Sequence, residues 1–336
     1  MKIITCTGYG ATGSSVVSDL LKEFDVVKSY GDYEFRFISD PHGLRDLEYG
    51  LFENNNRCNT DYYIKQFVKY YTFLSKSWHY NYESHFNGKF KGISDEFIKQ
   101  VVDEKWQGFW HQDIIDETPI RKFFYYLERF VQKKILKQQG VGKDRGAQYY
   151  NNVMYYAKPT SKEEFYKQVK NYTDKLVANM EFDKNCEFVV LDQLVPADHN
   201  ETYLNYFSDL KIIVVDRDPR DLFVLNRNQY YFKWIPTEDV KQYCNWFRLL
   251  REHQKAEKKS DNVCYLNFED FIYDYENTVK KICAFLNIDI DDWTKKGEFF
   301  NPNISIKNTK KWINCIEYKK EIEYIEENLK EFLVKY

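Results

Sequence analysis

The chain contains five short runs rich in apolar and β-branched residues, each followed by polar residues. Short runs that are apolar on both faces predict the strands of a buried parallel sheet. These runs lie at residues 2–7, 25–29, 187–191, 211–215 and 263–267. Apolar residues at helical spacing predict helices at 14–21, 273–286 and 317–334. Strands that alternate with helices predict an α/β fold with a doubly wound parallel sheet of about five strands.

The stretch from about residue 54 to residue 184 has a different pattern. Several long segments carry apolar residues at helical intervals among many charged residues, at 61–76, 93–102, 118–138 and 162–180. Residues 140–160 contain glycines, Lys143, Arg145 and two pairs of adjacent tyrosines, which suits a loop. We therefore predict a mostly helical insertion at 54–184 in a single domain that spans residues 1–336, because the strands on both sides belong to one sheet.

Composition limits the partners and the compartment. The formal net charge of −3 is too small for the bulk field of the protein to hold a polyanion, so nucleic acid is not an expected partner. The seven cysteines contain no C-x-x-C pair, which favours reduced thiols over a metal or redox motif. The N-terminal apolar run is too short for a signal peptide, and no stretch approaches a membrane span. These features predict a cytoplasmic protein.

The first predicted strand leads through a glycine-rich turn into the first predicted helix. This glycine turn comprises Gly8, Tyr9, Gly10, Ala11, Thr12, Gly13, Ser14 and Ser15. Free backbone N–H groups converge at the start of a helix, and the helix dipole adds positive potential there. The glycines allow the backbone to approach a ligand closely, and the threonine and serines offer hydroxyl donors. The turn therefore predicts a phosphate site.

Three interpretations of the glycine turn follow from the residues alone. An ATP-type P-loop carries a lysine where Ser14 stands, so a kinase would lack its main cation. A dinucleotide site matches the spacing of the three glycines and needs an acidic residue after the second strand, for which Asp32 is the candidate. Glycines that form only a tight turn are the third interpretation.

Three separated segments together resemble the sulfotransferase family. Members of this family transfer the sulfuryl group of PAPS (3′-phosphoadenosine 5′-phosphosulfate) to a hydroxyl acceptor and release PAP (3′-phosphoadenosine 5′-phosphate). Residues 8–15 resemble the 5′-phosphosulfate loop of the family, and residues 212–221 resemble its 3′-phosphate segment. Residues 266–286 are similar to its Tyr-Glu-Asp-Leu strand end and the helix that follows. The resemblance implies that PAPS is the donor.

The resemblance also implies donor contacts outside the glycine turn. Arg217 is similar to the arginine that grips the 3′-phosphate, and a bidentate guanidinium suits a phosphate dianion. A surface ion pair between Arg217 and Asp221 is the alternative. Residues 304–312 are similar to the segment that folds over the 3′-phosphate and adenine, or they form a basic turn before the last helix. The predicted contacts are Arg217, Leu225, Asn226, Phe268, Lys307, Asn308, Lys310 and Lys311.

Two positions depart from the family pattern. Ala11 stands where the family has a lysine or arginine that stabilises charge on the leaving phosphate. Leu225 stands where many members have a serine on the 3′-phosphate. Another cation must then compensate for the residue missing at Ala11, and Arg36 is the candidate.

Sulfuryl transfer also needs a base that takes the proton of the acceptor hydroxyl. Glu34 lies in a segment similar to the Glu-x-Arg of tyrosylprotein sulfotransferases, which predicts that it is the general base. His42 is the rival, because histidine is the commonest base at neutral pH and is the base of cytosolic steroid and phenol sulfotransferases. Asp192, after the third predicted strand, is a further polar group near the site. This mechanism requires no metal.

The acceptor is a carbohydrate or, second, a lipid or sterol-like alcohol in this prediction. Five aromatic residues of the insertion form either a wall for the acceptor or part of the core: Trp78, Tyr80, Trp106, Phe109 and Trp110. The changes at Ala11 and Leu225 leave open a PAP- or PAPS-binding protein of the same fold that has lost turnover. An ATP-dependent kinase is the remaining alternative.

Overall fold

The computed structural model of the protein describes residues 1–138, 140, 146–147, 151–159 and 161–336, without the side chain of Asp32. The chain forms two compact units. Unit 1 contains residues 1–40 and 173–336, and unit 2 contains residues 41–172. Unit 2 begins before the predicted start of the insertion, because the segment that follows residue 43 is already helical. The assignment of the whole chain to a single domain stays a prediction.

The described residues contain seven strands, of which five form a parallel sheet in unit 1. The strands are β1 (Lys2–Thr7), β2 (Val27–Glu34), β3 (Glu104–Gly108), β4 (Asn152–Tyr156), β5 (Phe188–Asp192), β6 (Leu210–Asp216) and β7 (Val263–Asn267). The order across the parallel sheet is β2-β5-β1-β6-β7. The predicted α/β fold with a parallel sheet of about five strands is confirmed.

The central strand β1 is flanked by β5 and β6, so the carboxyl ends of these three strands meet at one edge of the sheet. All residues of β5 are buried, as expected for a strand covered on both faces. On the other side of β5, strand β2 is interrupted by a bulge after Ser29 and resumes at Glu34, which pairs with Asp192. The strand is therefore longer than predicted, and its end pairs two acidic residues, Glu34 and Asp192.

The helices of the described residues fall in both units. In chain order they are α1 (Ser15–Leu21), α2 (Leu44–Phe52), α3 (Arg57–Lys76), α4 (Tyr82–His85), α5 (Phe90–Val101), α6 (Pro119–Phe130), α7 (Lys162–Ala178), α8 (Asn200–Leu204), α9 (Pro219–Leu225), α10 (Val240–Ala256), α11 (Asp270–Tyr273), α12 (Tyr275–Leu286), α13 (Pro302–Ser305) and α14 (Lys319–Asn328). No helix in the described ranges is long and apolar enough to cross a membrane.

The prediction of a loop over residues 140–160 is wrong for residues 152–156. These residues form β4, which pairs antiparallel with β3 in unit 2. The strand forms because tertiary contacts hold it: the backbone N–H of Tyr155 donates to the buried carboxylate of Asp61 at 2.7 Å. The rest of the predicted loop lies partly outside the described residues.

The predicted last helix over residues 317–334 is too long. The helix α14 ends at Asn328, because Leu329 leaves the helical region with φ −123° and ψ 32°. A single 3-10 turn, Lys330–Phe332, follows. Beyond it, the backbone N–H of Val334 donates to the buried carboxylate of Asp218 at 3.2 Å, so a tertiary contact straightens the end of the chain.

One buried cluster joins the sheet of unit 1 to α1 and α12. Ile4 of β1, Leu20 of α1 and Ile282 of α12 belong to this cluster. A second cluster joins α9, α10 and α14. The seven cysteines are all free thiols, as predicted.

A buried carboxylate fastens the chain beyond α12 to the end of α1. Glu23 is fully buried and accepts four hydrogen bonds at 2.7 to 3.0 Å. The donors are the indole of Trp293 and the backbone N–H groups of Gly297, Phe299 and Phe300. Loss of the carboxylate would remove the partner of all four donors and would leave those of Trp293 and Phe300 buried and unpaired.

We therefore expect Glu23→Ala to lower the free energy of unfolding by about 3 kcal/mol or more. Urea denaturation followed by circular dichroism measures this change. The control is Glu298→Ala, which removes an exposed carboxylate from the same segment and should cost less than about 0.5 kcal/mol. Equal stabilities for the two variants would contradict the role of Glu23.

Candidate active site

The glycine turn connects β1 to α1, and two aromatic rings press against it. A Cβ atom at Gly10 would lie 2.2 Å from the Trp234 ring, and a Cβ atom at Gly13 would lie 2.7 Å from the Phe268 ring. Gly10 and Gly13 also have positive φ angles of 93° and 88°. Both the space and the backbone conformation therefore require glycine at these positions.

The backbone donors of the glycine turn are free. From Tyr9 to Ser15, none of the seven backbone N–H groups donates a hydrogen bond to another described residue. Ala11 has a φ of 54°, in the left-handed region, so the turn alternates between backbone conformations as anion-binding turns do. Successive free N–H groups at the start of α1 form an anion cradle.

Gln193, which follows β5, holds the serine end of the turn. Its amide nitrogen donates to the hydroxyl of Ser14 at 2.8 Å, and its carbonyl oxygen accepts from the hydroxyl of Thr7 at 3.3 Å. Gln193 itself has a φ of 55°, which is a strained conformation for a residue other than glycine. The hydroxyl of Thr12 is buried and has no partner among the described residues.

A cavity of about 940 Å³ lies in unit 1 beside the glycine turn. Its walls are the turn itself, the end of β2, the chain after β5 and the segment after α9. The lining residues outside the turn include Glu34, Arg36, Ser39, Asp192, Gln193, Asp198, Tyr230, Phe232 and Trp234. Arg36 is the one basic residue among the described residues of this lining.

Glu34 and Arg36 form an ion pair at the edge of the cavity. The guanidinium of Arg36 lies 3.4 Å from the carboxylate of Glu34 and 2.8 Å from that of Asp40. Both members of the Glu34–Arg36 pair are about half exposed, at 50% and 52% of the side chain. The sequence-predicted base and the sequence-predicted compensating cation are thus in direct contact and open to the cavity.

Asp192, beside Glu34, is buried and engaged. It accepts a hydrogen bond from the thiol of Cys6 at 2.9 Å. Burial, together with the negative charge of Asp192, raises the pKa of the Cys6 thiol well above its usual range. Cys6 therefore stays protonated and acts as a donor beneath the cavity.

Arg217 follows β6 and is buried, with 3% exposure. Its guanidinium donates to the carbonyl of Asn308 and lies 4.4 Å from the centre of the Phe268 ring. Phe268 in turn contacts Gly13, so one aromatic ring touches both the arginine and the glycine turn. The Nε of Arg217 is buried and has no partner among the described residues.

The predicted contacts Lys307, Asn308, Lys310 and Lys311 lie on the segment next to Arg217. The carboxylate of Asp221 accepts the backbone N–H groups of Lys310 at 2.8 Å and Lys311 at 2.6 Å. The ammonium of Lys310 lies 4.5 Å from two tyrosine rings, and Lys307 is exposed. Asp221 is therefore a support for this segment, and the alternative ion pair with Arg217 is not formed among the described contacts.

Asn226 is used by the protein itself. Its amide nitrogen donates to the hydroxyl of Thr237 at 2.8 Å and to the carbonyl of Phe232 at 3.3 Å, and its oxygen accepts from the backbone N–H of Phe232 at 2.9 Å. Asn226 thereby fixes the conformation of the segment after α9. The neighbouring Leu225 is buried at the end of α9 and lines a separate cavity of about 470 Å³, to which Lys311 also contributes.

That segment contains an aromatic group that sequence reasoning missed. Tyr230, Phe232 and Trp234, here called the aromatic segment, have successive ring centres 5.5 Å apart and planes 22° and 20° apart. All three line the 940 Å³ cavity. In the sequence, the run of aromatic residues shortly after the Arg217 segment could have indicated this group.

A buried arginine beneath the glycine turn was also missed. Arg251 of α10 is 1% exposed and donates through Nε to the carboxylate of Asp216 at 2.7 Å. Its guanidinium lies 4.5 Å from the centre of the Tyr9 ring. An arginine on the apolar face of an amphipathic helix was the signal for this contact.

The remaining predicted residues belong to unit 2. The backbone N–H of His42 donates to the carboxylate of Asp46 at 2.7 Å. Trp78, Tyr80 and Trp106 are exposed, Trp78 to 90%, so they are not core residues. Phe109 and Trp110 are half-buried.

The sequence model described as "Sulfotransferase family" matches residues 126–292. The chain belongs to the sulfotransferase family. The matched residues include Arg217 and Phe268, whereas the glycine turn lies outside them. The predicted family is thus confirmed, and the protein is an enzyme of this family.

Three solved structures are similar to this chain at low sequence identity. The sulfotransferase domain of the Synechococcus PCC 7002 olefin synthase is 12% identical, with a TM-score of 0.38 over 98% of this chain and 93% of that one. Sulfotransferase STF9 of Mycobacterium avium is 13% identical, with a TM-score of 0.35 over 99% and 77%. Retinol dehydratase, crystallised with androsterone and PAP, is 13% identical, with a TM-score of 0.35 over 99% of this chain and 82% of that one. A search of curated protein sequences found no match.

A second titratable group lies next to Arg217 in this sulfotransferase. Glu269 is 2% exposed, and one carboxyl oxygen accepts the backbone N–H of Asp218 at 3.1 Å. The other oxygen is buried without a partner among the described residues. Burial raises the pKa of Glu269 to about 7, and its hydrogen bonds and the charge of Arg217 offset this only in part.

We expect this group to make stability depend on pH. The folded-state pKa of Glu269 is above its ordinary value of 4.5, so the folded protein holds the proton more tightly than the unfolded chain. Its contribution to stability is complete below about pH 4.5 and is lost as the pH rises through about 7. Glu269→Gln, which cannot ionise, should therefore gain on the order of 2–3 kcal/mol relative to the wild type between these pH values. Urea denaturation of both proteins across this range measures the difference, and parallel pH profiles would contradict it.

Proposed function

We propose that this sulfotransferase uses PAPS as its donor and transfers the sulfuryl group to a hydroxyl of a carbohydrate acceptor. The observation that carries this proposal is the anion cradle of seven free N–H groups beside a cavity that also contains Glu34 and Arg36. A donor anion and a proton acceptor can therefore meet in one cavity of unit 1.

The residues present fit a bisphosphorylated nucleotide at two points. The free N–H groups of the glycine turn suit the 5′-phosphosulfate, because backbone donors at a helix start bind anions. The unpartnered Nε of the buried Arg217 suits the 3′-phosphate, because a buried donor without a partner is costly and an anion would satisfy it. Phe268 contacts both regions and suits a position along the nucleotide between them.

When bound, PAPS supplies an activated sulfuryl group: a bond forms from the acceptor oxygen to sulfur, the sulfur bond to the phosphate oxygen breaks, and PAP leaves. Glu34 accepts the proton of the acceptor hydroxyl in this proposal, since its carboxylate is open to the cavity. Arg36 keeps Glu34 oriented through their 3.4 Å contact and offsets negative charge near the glycine turn. His42 remains the alternative base.

The lining of the cavity favours a neutral sugar over the other acceptors. The aromatic segment offers apolar ring surface, and Glu34, Asp192 and Asp198 offer carboxylate acceptors for hydroxyl groups. Three carboxylates disfavour an anionic acceptor by charge repulsion. A sterol offers these carboxylates few hydroxyl donors and is the second choice for that reason.

Incubation with PAPS and a panel of glycans, sterols and phenols tests the donor and the acceptor class together. A sulfated glycan is the expected product. Sulfation of a sterol or a phenol alone would contradict the proposed acceptor, and binding of PAP without any sulfated product would contradict the proposed transfer.

The 3′-phosphate assignment predicts how one variant discriminates between two nucleotides. Arg217→Ala should weaken the binding of PAP roughly 10- to 100-fold, because a charged hydrogen bond to the 3′-phosphate is lost. The binding of AMP should change little, since AMP has no 3′-phosphate. Isothermal titration calorimetry measures both affinities. Arg248→Ala is a matched control, because Arg248 also donates to a backbone carbonyl, that of Asn328. Equal losses of PAP and AMP would make Arg217 structural.

The base assignment makes a separate prediction. Glu34→Gln should leave the affinity for PAP within about threefold and lower kcat by about 100-fold or more, because the amide cannot accept a proton. Asp40→Asn is the control, since it perturbs the same arginine without removing the base. Transfer that survives in Glu34→Gln and fails in His42→Gln would give the role to His42.

A further inference from the structure

The helix α6 of unit 2 presents its apolar side to solvent. Apolar residues recur at helical spacing along it, and together they form what we call the apolar stripe: Ile120, Phe123, Phe124, Leu127 and Phe130. At 100° per residue they span about 120° of the helix surface, which is the width of a face that normally packs against a core. All five are between 44% and 71% exposed.

The opposite side of α6 makes the contacts with the rest of unit 2. The ring of Tyr125 lies 5.4 Å from that of Phe109. Arg121 donates to the side chain of Asn152 at 3.2 Å, and Lys122 donates to the backbone carbonyl of Ile115 at 3.0 Å. The polar side thus fixes the helix, and the apolar stripe stays exposed. Exposed apolar surface of this extent marks an interaction site.

The charge of this region distinguishes between occupants of the stripe. Residues 119–138 contain six basic side chains and one acidic side chain, a formal charge of +5 in a protein whose net charge is −3. The basic residues are Arg121, Lys122, Arg129, Lys133, Lys134 and Lys137. A second copy of α6 would bring two such charges together, which is unfavourable. A partner with an apolar interior beneath a negatively charged surface complements both the apolar stripe and the positive charge.

We propose that α6 docks on an anionic lipid bilayer. The apolar stripe enters the boundary between headgroups and acyl chains, as amphipathic helices with aromatic and aliphatic residues on one face do. The lysines at 133, 134 and 137, exposed in the turn that follows α6, meet the anionic headgroups. Ile135 and Leu136, 63% and 56% exposed, extend the apolar surface beyond the helix. This docking does not depend on the proposed function of unit 1.

Vesicle flotation of the full chain tests the proposal. Wild-type protein should float with vesicles of phosphatidylcholine and phosphatidylglycerol, should float less with phosphatidylcholine alone, and should be released by high salt. Phe123→Ser with Phe124→Ser should reduce the bound fraction by about tenfold or more, because two inserted rings are lost. Both residues are exposed, so the variant should fold, and its circular dichroism melt verifies this.

The matched control is Leu249→Ser with Ile290→Ser, which removes exposed apolar side chains from unit 1 and should bind vesicles like the wild type. Wild-type protein that stays with the soluble fraction at low salt would overturn the proposal, as would unchanged binding by the double serine variant. Analytical ultracentrifugation adds a third outcome. A wild-type dimer that the Phe123 and Phe124 changes convert to a monomer would assign the stripe to a second copy instead.

Discussion

The seven free N–H groups of the glycine turn are the constraint on which the rest of unit 1 depends. Backbone donors that are left unpaired are unfavourable, so the surrounding structure must hold the turn in this conformation. Trp234 and Phe268 approach so closely that only glycine fits at positions 10 and 13. Gln193 donates a hydrogen bond to the hydroxyl of Ser14 and so holds the serine end of the turn. The turn is therefore built before any ligand arrives.

Three aspartates at the end of β6 organise the other half of the candidate site. Asp216 binds Arg251 of α10 at 2.7 Å, Asp218 binds Arg220 at 2.6 Å, and Asp221 accepts the backbone of the segment at 310–311. Buried carboxylates are stable only when N–H groups or cations surround them. Asp216 and Asp221 thus hold distant parts of the chain at the sheet edge, and Arg217 lies close to them in sequence with one nitrogen unpaired.

The described lining of the cavity contains more acidic than basic side chains. Glu34, Asp192 and Asp198 line it, whereas Arg36 is its basic residue among those described. Because Ala11 adds no charge, backbone dipoles must carry most of the attraction for an anion here. Unit 2 has the reverse character at α6, where basic residues accompany exposed apolar ones. The cavity of unit 1 and the apolar stripe of unit 2 therefore differ in the sign of their charge.

The parallel sheet, the glycine turn and the position of Arg217 after β6 followed from the sequence, because strand runs, glycines and helix starts are set by neighbouring residues. The base candidate Glu34 and its partner Arg36 also came from a local motif. Contacts between residues that are distant in sequence could not be predicted in this way. The fold decides them by bringing separate elements together. Examples are the hydrogen bonds of Asn226 to Thr237, of Gln193 to Ser14 and of Arg251 to Asp216.

Strand β4 and the early end of α14 are further cases in which a partner elsewhere in the chain decides the outcome. The backbone at Tyr155 is held by Asp61, and that at Val334 is held by Asp218. The sequence shows the amphipathic pattern of α6, but this pattern alone predicts that the apolar face is buried. Which side of the helix faces the protein is decided by tertiary contacts, since Phe109 and Asn152 bind its polar side and leave the apolar one to solvent.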